Sequence, residues 1–351
     1  MKIVEDILSG NRLSLARLLT LVESFNPSGL AALDELFQYT GKAHLIGITG
    51  SPGTGKSSLV NQLALGIRNP QGGKPSRKVA VVAVDPSSPF TGGALLGDRV
   101  RMRDLSGDPG VFIRSMASRG ALGGLARATS NMTQVLDAAG FDMILIETVG
   151  VGQSEIDVAS LAHTVIVVEA PGMGDDIQTA KAGILEIADI LVVNKADLPG
   201  AENTERALRA MLDIANPGHI PLQHHVASQQ ALERSESHQG WVPPVYKTVS
   251  ILGQGVEELL DGIEKHHDYL QISGNFDLRN QARLKAELDD LLRDTLVNTW
   301  HNQLPDGKYE TIVQRLVKRE ISPYQAVSEL IVSNNPVLLN PQKGGIFFPN
   351  R

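Results

Sequence analysis

Apolar residues follow two rhythms along this chain. Short apolar runs recur at 45–49, 79–84, 111–113, 143–146, 165–168, 190–193 and 245–249, with helix-patterned stretches between them. Continuous Val/Ile runs, rather than alternating ones, mark strands buried on both faces. The pattern therefore predicts an α/β fold built on a mostly parallel, doubly wound sheet. Ahead of it, Ile3, Ile7 and Leu8, then Leu13, Leu15, Leu18, Leu19 and Val22, recur at roughly helical spacing, broken by Gly10-Asn11 and Asn26-Pro27. The helical rhythm returns after Gly255, over 256–270, 284–300, 309–317 and 323–332, with Ser322-Pro323 as a start signal. Three regions follow: an N-terminal helical extension (1–42), an α/β domain (43–270) and a C-terminal helical region (271–351) whose tail from Asn334 is weakly patterned.

Composition narrows the classes. At 351 residues the chain is long enough for a sizeable core, and its net charge of -7 offers no basic field for nucleic acid or an anionic membrane. With no cysteine there is neither a disulfide framework nor a thiolate metal site. The N-terminal MKIVEDILSG lacks an unbroken apolar core and no window approaches a bilayer-spanning length, so a cytoplasmic location is expected.

The first apolar run leads into Gly50-Ser51-Pro52-Gly53-Thr54-Gly55-Lys56-Ser57, followed by Ser58 and a helix-patterned stretch, which fits G-x-x-x-x-G-K-[ST] in its proper context. Glycines there let backbone N–H groups turn around a phosphate, the helix start adds partial positive charge, Lys56 reaches the outer phosphates, and Ser57 can ligate Mg²⁺. The fold class expected is thus a P-loop NTPase sheet. Nothing in this loop reads the base.

In open α/β sheets ligands bind beyond the carboxyl ends of the strands, so the residues ending each apolar run are the ones to weigh. Asp85 ends VAVVAVD and precedes a long loop holding Asp98, Arg99, Arg101 and Arg103, suited to closing over a γ-phosphate and its metal. Glu147 ends MILIE; an acid there can hold Mg²⁺, while the Gly150 N–H is placed to meet the γ-phosphate. Val151 stands where Ras-like enzymes place a water-orienting glutamine, so slow unassisted hydrolysis is expected, with Gln153 a substitute and Arg99, Arg101 and Arg119 candidate supplementary cations. Asn194-Lys195-Ala196-Asp197 follows ILVV. A carboxylate at Asp197 can accept both N1–H and N2–H₂ of guanine, whereas adenine would leave it unpaired. Ser250-Ile251-Leu252 is placed to complete the base pocket through guanine O6.

The order GSPGTGKSS, VDPSSPFTGGALLGDRVRM, SMASRGALGGLA, ETVGVGQSE, APGMGDDIQTAKAGI and NKAD resembles the MeaB/ArgK-like GTPases, accessory proteins of methylmalonyl-CoA mutase and related cobalamin-dependent acyl-CoA mutases. The resemblance implies a SIMIBI-class GTPase that forms a homodimer through its C-terminal helices, gates adenosylcobalamin delivery and protects or reactivates the mutase. It implies phosphate contacts from Gly50 to Ser58, Mg²⁺ surrounded by Ser57, Asp85, Asp98 and Glu147, guanine held by Asp197 and Ser250 to Leu252, and a nucleotide-reporting switch over 172–181. Family members often carry a second lysine directly after the one at Lys181, where this chain has Ala182.

Rival readings are a protein kinase of a transport system, a metal-insertion GTPase, and a binding module without turnover. Guanine selectivity and the lack of an evident acceptor domain speak against the kinase. The His224-His225 and His266-His267 pairs are read as structural or solvated, since adjacent residues on a helix or strand point different ways. No direct cobalamin binding by this chain is expected.

Overall fold

The computed structural model describes residues 1–86, 105, 107–118, 124–148, 158–172, 187–215 and 240–332. Within them all seven apolar runs are strands: β1 (His44–Thr49), β2 (Val79–Pro86), β3 (Val111–Ser118), β4 (Met143–Glu147), β5 (Thr164–Glu169), β6 (Ile190–Asn194) and β7 (Val245–Thr248). They form one wholly parallel sheet of order β3-β2-β4-β1-β5-β6-β7. β1 therefore lies between β4 and β5, and its register sets Ile48 opposite Glu147. Every residue of β1, β4, β5 and β6 is buried, which accounts for their unbroken apolar spelling.

Alternate residues of these strands feed two cores. Ile46, Ile48, Val79, Val81, Ile166 and Ile190 pack with Leu59, Leu63 and Ile67 of α4 (Lys56–Arg68) on one face. Leu45, Ala80, Val82, Ile144 and Ile146 pack on the other face with Met132, Val135 and Leu136 of α5 (Gly124–Ala138). The N-terminal helices α1 (Lys2–Leu8), α2 (Arg12–Glu23) and α3 (Pro27–Leu36) add Ile7, Leu18, Leu19, Val22 and Leu36 to that second core. Both breaks read from the sequence are helix starts. Asn11 accepts from the backbone N–H of Leu13 and Ser14, and Asn26 from that of Ser28, with Pro27 opening α3. The Asp137 carboxylate accepts from the N–H of Gly41, Lys42 and Ala43 at 2.5, 3.2 and 3.0 Å, pinning the chain where it enters β1.

Beyond β6 come α6 (Ala201–Ala215), then, after β7, α7 (Val256–Ser273) and α8 (Asn275–Asn302). The expected helix over 284–300 begins earlier, because Phe276 and Arg279 bury its first turns and Gly274, at φ 73°, makes the bend from α7. By compactness the chain divides into Met1–Arg283 and Leu284–Arg351. The described part of the second unit holds the rest of α8 with α9 (Lys308–Val317) and α10 (Pro323–Val332), around a small core of Ile312, Ala326 and Leu330. Ser322 and Gln325 cap α10 reciprocally, at 2.9 and 3.2 Å. No helix among the described residues is long and apolar enough to cross a membrane.

Candidate functional site

The loop from Gly50 to Gly55 joins the end of β1 to the start of α4. Gly50 has φ 132°, and a Cβ there would fall 2.1 Å from the Val168 carbonyl oxygen; Gly55 has φ 93°, and a Cβ would meet Asn194 Nδ2 at 2.4 Å. Only glycine fits at either position. The Thr54 hydroxyl donates to Ser51 O at 3.0 Å and tightens the turn. Lys56 is buried and its ammonium donates to Gly50 O at 2.8 Å and Ser51 O at 3.0 Å, so the cation already sits over the loop that its motif assigns to phosphates.

The register of β1 and β4 has a chemical consequence. Glu147, buried at the end of β4, accepts a hydrogen bond from the Ser57 hydroxyl through Oε1 at 2.6 Å. The hydroxyl and carboxylate that the sequence assigns to Mg²⁺ are therefore adjacent. Asp85 occupies the seventh position of β2, opposite Ala117 of β3. Asp98, Gly150, Gln153, Arg99, Arg101, Arg119 and residues 173–181 of the expected switch lie outside the described residues.

On the other side of the loop Asn194 braces the site. It is 2 % exposed; its Nδ2 donates to Thr54 O at 2.8 Å, and its Oδ1 accepts from Thr248 Oγ1, Ser250 N and Ser250 Oγ at 3.0, 3.1 and 2.7 Å. Lys195, in the left-handed region at φ 56°, donates to Gly53 O at 2.8 Å. Asn194 thus ties the phosphate loop to the 3-10 turn Ser250–Leu252, and Lys195 ties the same loop to the end of β6. Asp197 is exposed, as are Ile251 at 76 % and Leu252 at 65 %, which leaves a carboxylate and an apolar rim open to a planar ligand beside the loop. The spelling of N-K-x-D locates this corner but does not announce the bracing, which depends on where the Asn194 amide points.

The base of the sheet, at the opposite strand ends, holds a buried polar cluster. His44 Nε2 and Thr164 Oγ1 lie 2.7 Å apart, Thr164 Oγ1 and His266 Nδ1 2.8 Å, and His267 packs at a tilt against His44, 4.4 Å between ring centres. Asp189 accepts a bidentate pair from Arg279 at 2.9 and 2.8 Å and the Val165 N–H at 2.8 Å. Burial pushes the Asp189 carboxyl up, but Arg279 and His266 override it and hold it well below the usual carboxylate range. Burial lowers His44 and His267, and lowers His163 to about 3. His266 and His267 enter one cluster, flanking His44 and Thr164, and with the Asp189–Arg279 pair this cluster locks the base of the sheet. His224 and His225 lie outside them.

Against known proteins, residues 15–304 match the family model described as methylmalonyl Co-A mutase-associated GTPase MeaB. The chain belongs to the MeaB family of GTPases. A putative GTPase of Pyrococcus abyssi is 42 % identical over 330 residues, 94 % of this chain and 95 % of the relative. The methylmalonic aciduria type A homolog, mitochondrial, of Caenorhabditis elegans is 31 % identical, covering 85 % of this chain and 73 % of that protein. Among solved structures, that of a LAO/AO transport system kinase superposes with a TM-score of 0.64 at 28 % identity, over 94 % of this chain and 95 % of that one. Membership in the MeaB family agrees with the phosphate loop, the Glu147 strand end and the N-K-A-D corner, all of which fall inside the matched residues.

Proposed function

We propose that this MeaB-family chain is a slow GTP-hydrolysing switch that serves a cobalamin-dependent acyl-CoA mutase, gating adenosylcobalamin loading and protecting or reactivating the mutase. One observation carries the nucleotide part: Asn194 and Lys195 fasten the phosphate loop to the corner where Asp197 stands open, so triphosphate and guanine sites are built as one unit. The family description and the name of the nematode relative support a mutase client.

The donor set suits magnesium. Ser57 Oγ and Glu147 Oε1, 2.6 Å apart, are hard oxygen donors of the kind Mg²⁺ takes alongside phosphate oxygens. These two residues, joined by Asp85 and Asp98, would hold the ion, which supplies charge neutralisation at the β- and γ-phosphates. Lys56 turns from Gly50 O and Ser51 O to the phosphate oxygens, and the N–H groups of Gly53 to Ser58 surround them. Asp197 selects the purine. The Gly150 N–H meets the γ-phosphate, and Gln153 orients water less effectively than a glutamine at position 151 would, which keeps unassisted turnover slow.

Homodimerisation through the second unit accompanies this reading. Leu288, Leu292, Leu296 and Val297 are 62, 53, 60 and 54 % exposed on α8, and Val317 and Tyr324 are 77 and 69 % exposed. An apolar surface of this density on so small a unit is what an interface leaves on an isolated copy. A cytoplasmic location belongs to the same proposal.

The test is capture of partners from a cell extract on the protein loaded with GDP or with a non-hydrolysable GTP analogue. Recovery of a cobalamin-dependent mutase in a nucleotide-dependent manner is expected. Radiolabel transfer from ATP to a protein acceptor would instead support the kinase reading, which the name of the superposed transport system kinase suggests.

A further inference from the structure

Two threonines sit where apolar strands meet the catalytic loops. Thr49 is the last residue of β1, directly before Gly50, and Thr148 directly follows Glu147 at the end of β4. Both are out of contact with solvent, at 0 and 1 % exposure. Thr148 Oγ1 donates to Thr49 Oγ1 at 3.1 Å, and the Thr148 N–H donates to Ile48 O at 3.1 Å. Valine has the shape of threonine and recurs in β2, β5 and β6, yet two hydroxyls have been desolvated here in its place. A buried hydroxyl is tolerated when it is bonded, and exchanging it for a methyl is not a neutral swap.

The cross-tie spans the two strand ends whose separation matters most. One residue before Thr148, Glu147 takes the Ser57 hydroxyl at 2.6 Å; one residue after Thr49, the phosphate loop begins. Backbone contact through Ile48 O fixes how far β4 reaches, and the hydroxyl pair fixes its rotation about the strand axis, which aims the Glu147 carboxylate. We propose that Thr148 is a positioning residue for GTP hydrolysis: held by Thr49, it keeps Glu147 aligned on Ser57 so that the pair can receive Mg²⁺ with the nucleotide. The inference rests on the GTPase reading and adds to its machinery a residue buried behind the Glu147 carboxylate. Groups that orient a metal's ligands without touching the metal commonly tune its affinity by about 10- to 100-fold.

The experiment compares wild type with Thr148→Val, Thr148→Ser, Thr49→Val and the double valine variant. Three quantities are read: GDP affinity in EDTA, the Mg²⁺ concentration that half-slows GDP release, and kcat for GTP. Thr148→Val is expected to leave GDP affinity in EDTA within about twofold, to raise the Mg²⁺ midpoint about tenfold, and to lower kcat about tenfold. Thr148→Ser, which keeps the hydroxyl, should restore the Mg²⁺ midpoint to within about twofold, and the double variant should be no worse than either single one. An unchanged Mg²⁺ midpoint in Thr148→Val overturns the proposal. So does a serine variant that behaves like valine, since the methyl and not the hydroxyl would then matter, and so does additivity of the two valine changes. A wild-type protein that binds no guanine nucleotide overturns the GTPase reading and this inference together, whereas a competent wild type with an indifferent Thr148→Val overturns the inference alone.

Discussion

Replacing Asn194 with alanine should loosen both halves of the nucleotide site at once. Its amide joins Thr54 O to Thr248 Oγ1, Ser250 N and Ser250 Oγ, at 2.8, 3.0, 3.1 and 2.7 Å. The two hydroxyls can rotate towards other acceptors, but the Thr54 carbonyl and the Ser250 N–H are backbone groups with fixed directions. Leaving two such groups buried and unpaired costs about 1–3 kcal/mol each, and the small void adds to it, so a loss of about 3 kcal/mol is expected. Urea denaturation should show the midpoint falling with an unchanged slope, because the folded state keeps its compactness. Fluorescent GDP should bind at least about 100-fold more weakly, since the variant must also order a loop that the native chain holds in advance. A stability loss under about 1 kcal/mol would refute the bracing argument, and so would normal GDP affinity in a destabilised variant.

Three further changes probe other links. Asp189→Asn breaks the pair with Arg279, which is 7 % exposed, and should cost about 3–5 kcal/mol in chemical denaturation by leaving a buried cation uncompensated; a loss under about 1 kcal/mol would contradict the lock at the sheet base. Acidification should act on the same lock: His163 is held at about 3 against about 6.5 in the unfolded chain, so the unfolded chain binds more protons between those values. Its stabilisation is fully present above about pH 6.5 and falls as pH drops towards 3, at up to about 1.4 kcal/mol per pH unit, with His44 adding in the same direction; equal stability at pH 7.5 and 5 would contradict this. Leu288→Glu with Leu292→Glu places two charges on the exposed stripe of α8 and should convert a dimer to a monomer by light scattering at micromolar protein, with the denaturation midpoint of the first unit unchanged; a persistent dimer would move the interface elsewhere.

The sheet was legible because burial on both faces leaves no solvent-facing position in β1, β4, β5 and β6, so the middle of each strand spells itself as an apolar run and the polar residues fall at its ends. The phosphate loop was legible because its glycines answer to backbone geometry, as the Cβ clashes at Gly50 and Gly55 make plain. The helix α5 was harder, since it lies between the sheet and the N-terminal helices: Thr129, Ser130, Asn131, Thr133 and Gln134 are all buried, and no polar stripe marks a solvent face. The true start of α8 was hidden for a related reason, its first turns being anchored by the Arg279 ion pair more than by apolar spacing. At the site, residue types gave the chemistry but not the directions. The sequence places Asn194 and Lys195 in a base-binding motif, and only the structure shows that their side chains also hold the phosphate loop. Nothing in the sequence marks Thr49 and Thr148 as partners, because only a three-dimensional contact reveals that their hydroxyls meet.

A strand-end site that takes a triphosphate and selects guanine through Asp197 is the centre of the proposed function. Calorimetric titration of the Mg²⁺-loaded protein with GDP, ADP and XDP, repeated on Asp197→Asn, tests it directly. The wild type should prefer GDP over ADP by at least about 1,000-fold, and the asparagine variant should shift its preference to XDP, because its amide donates where the carboxylate accepted. ADP bound as tightly as GDP, or an asparagine variant that still prefers GDP, would contradict it.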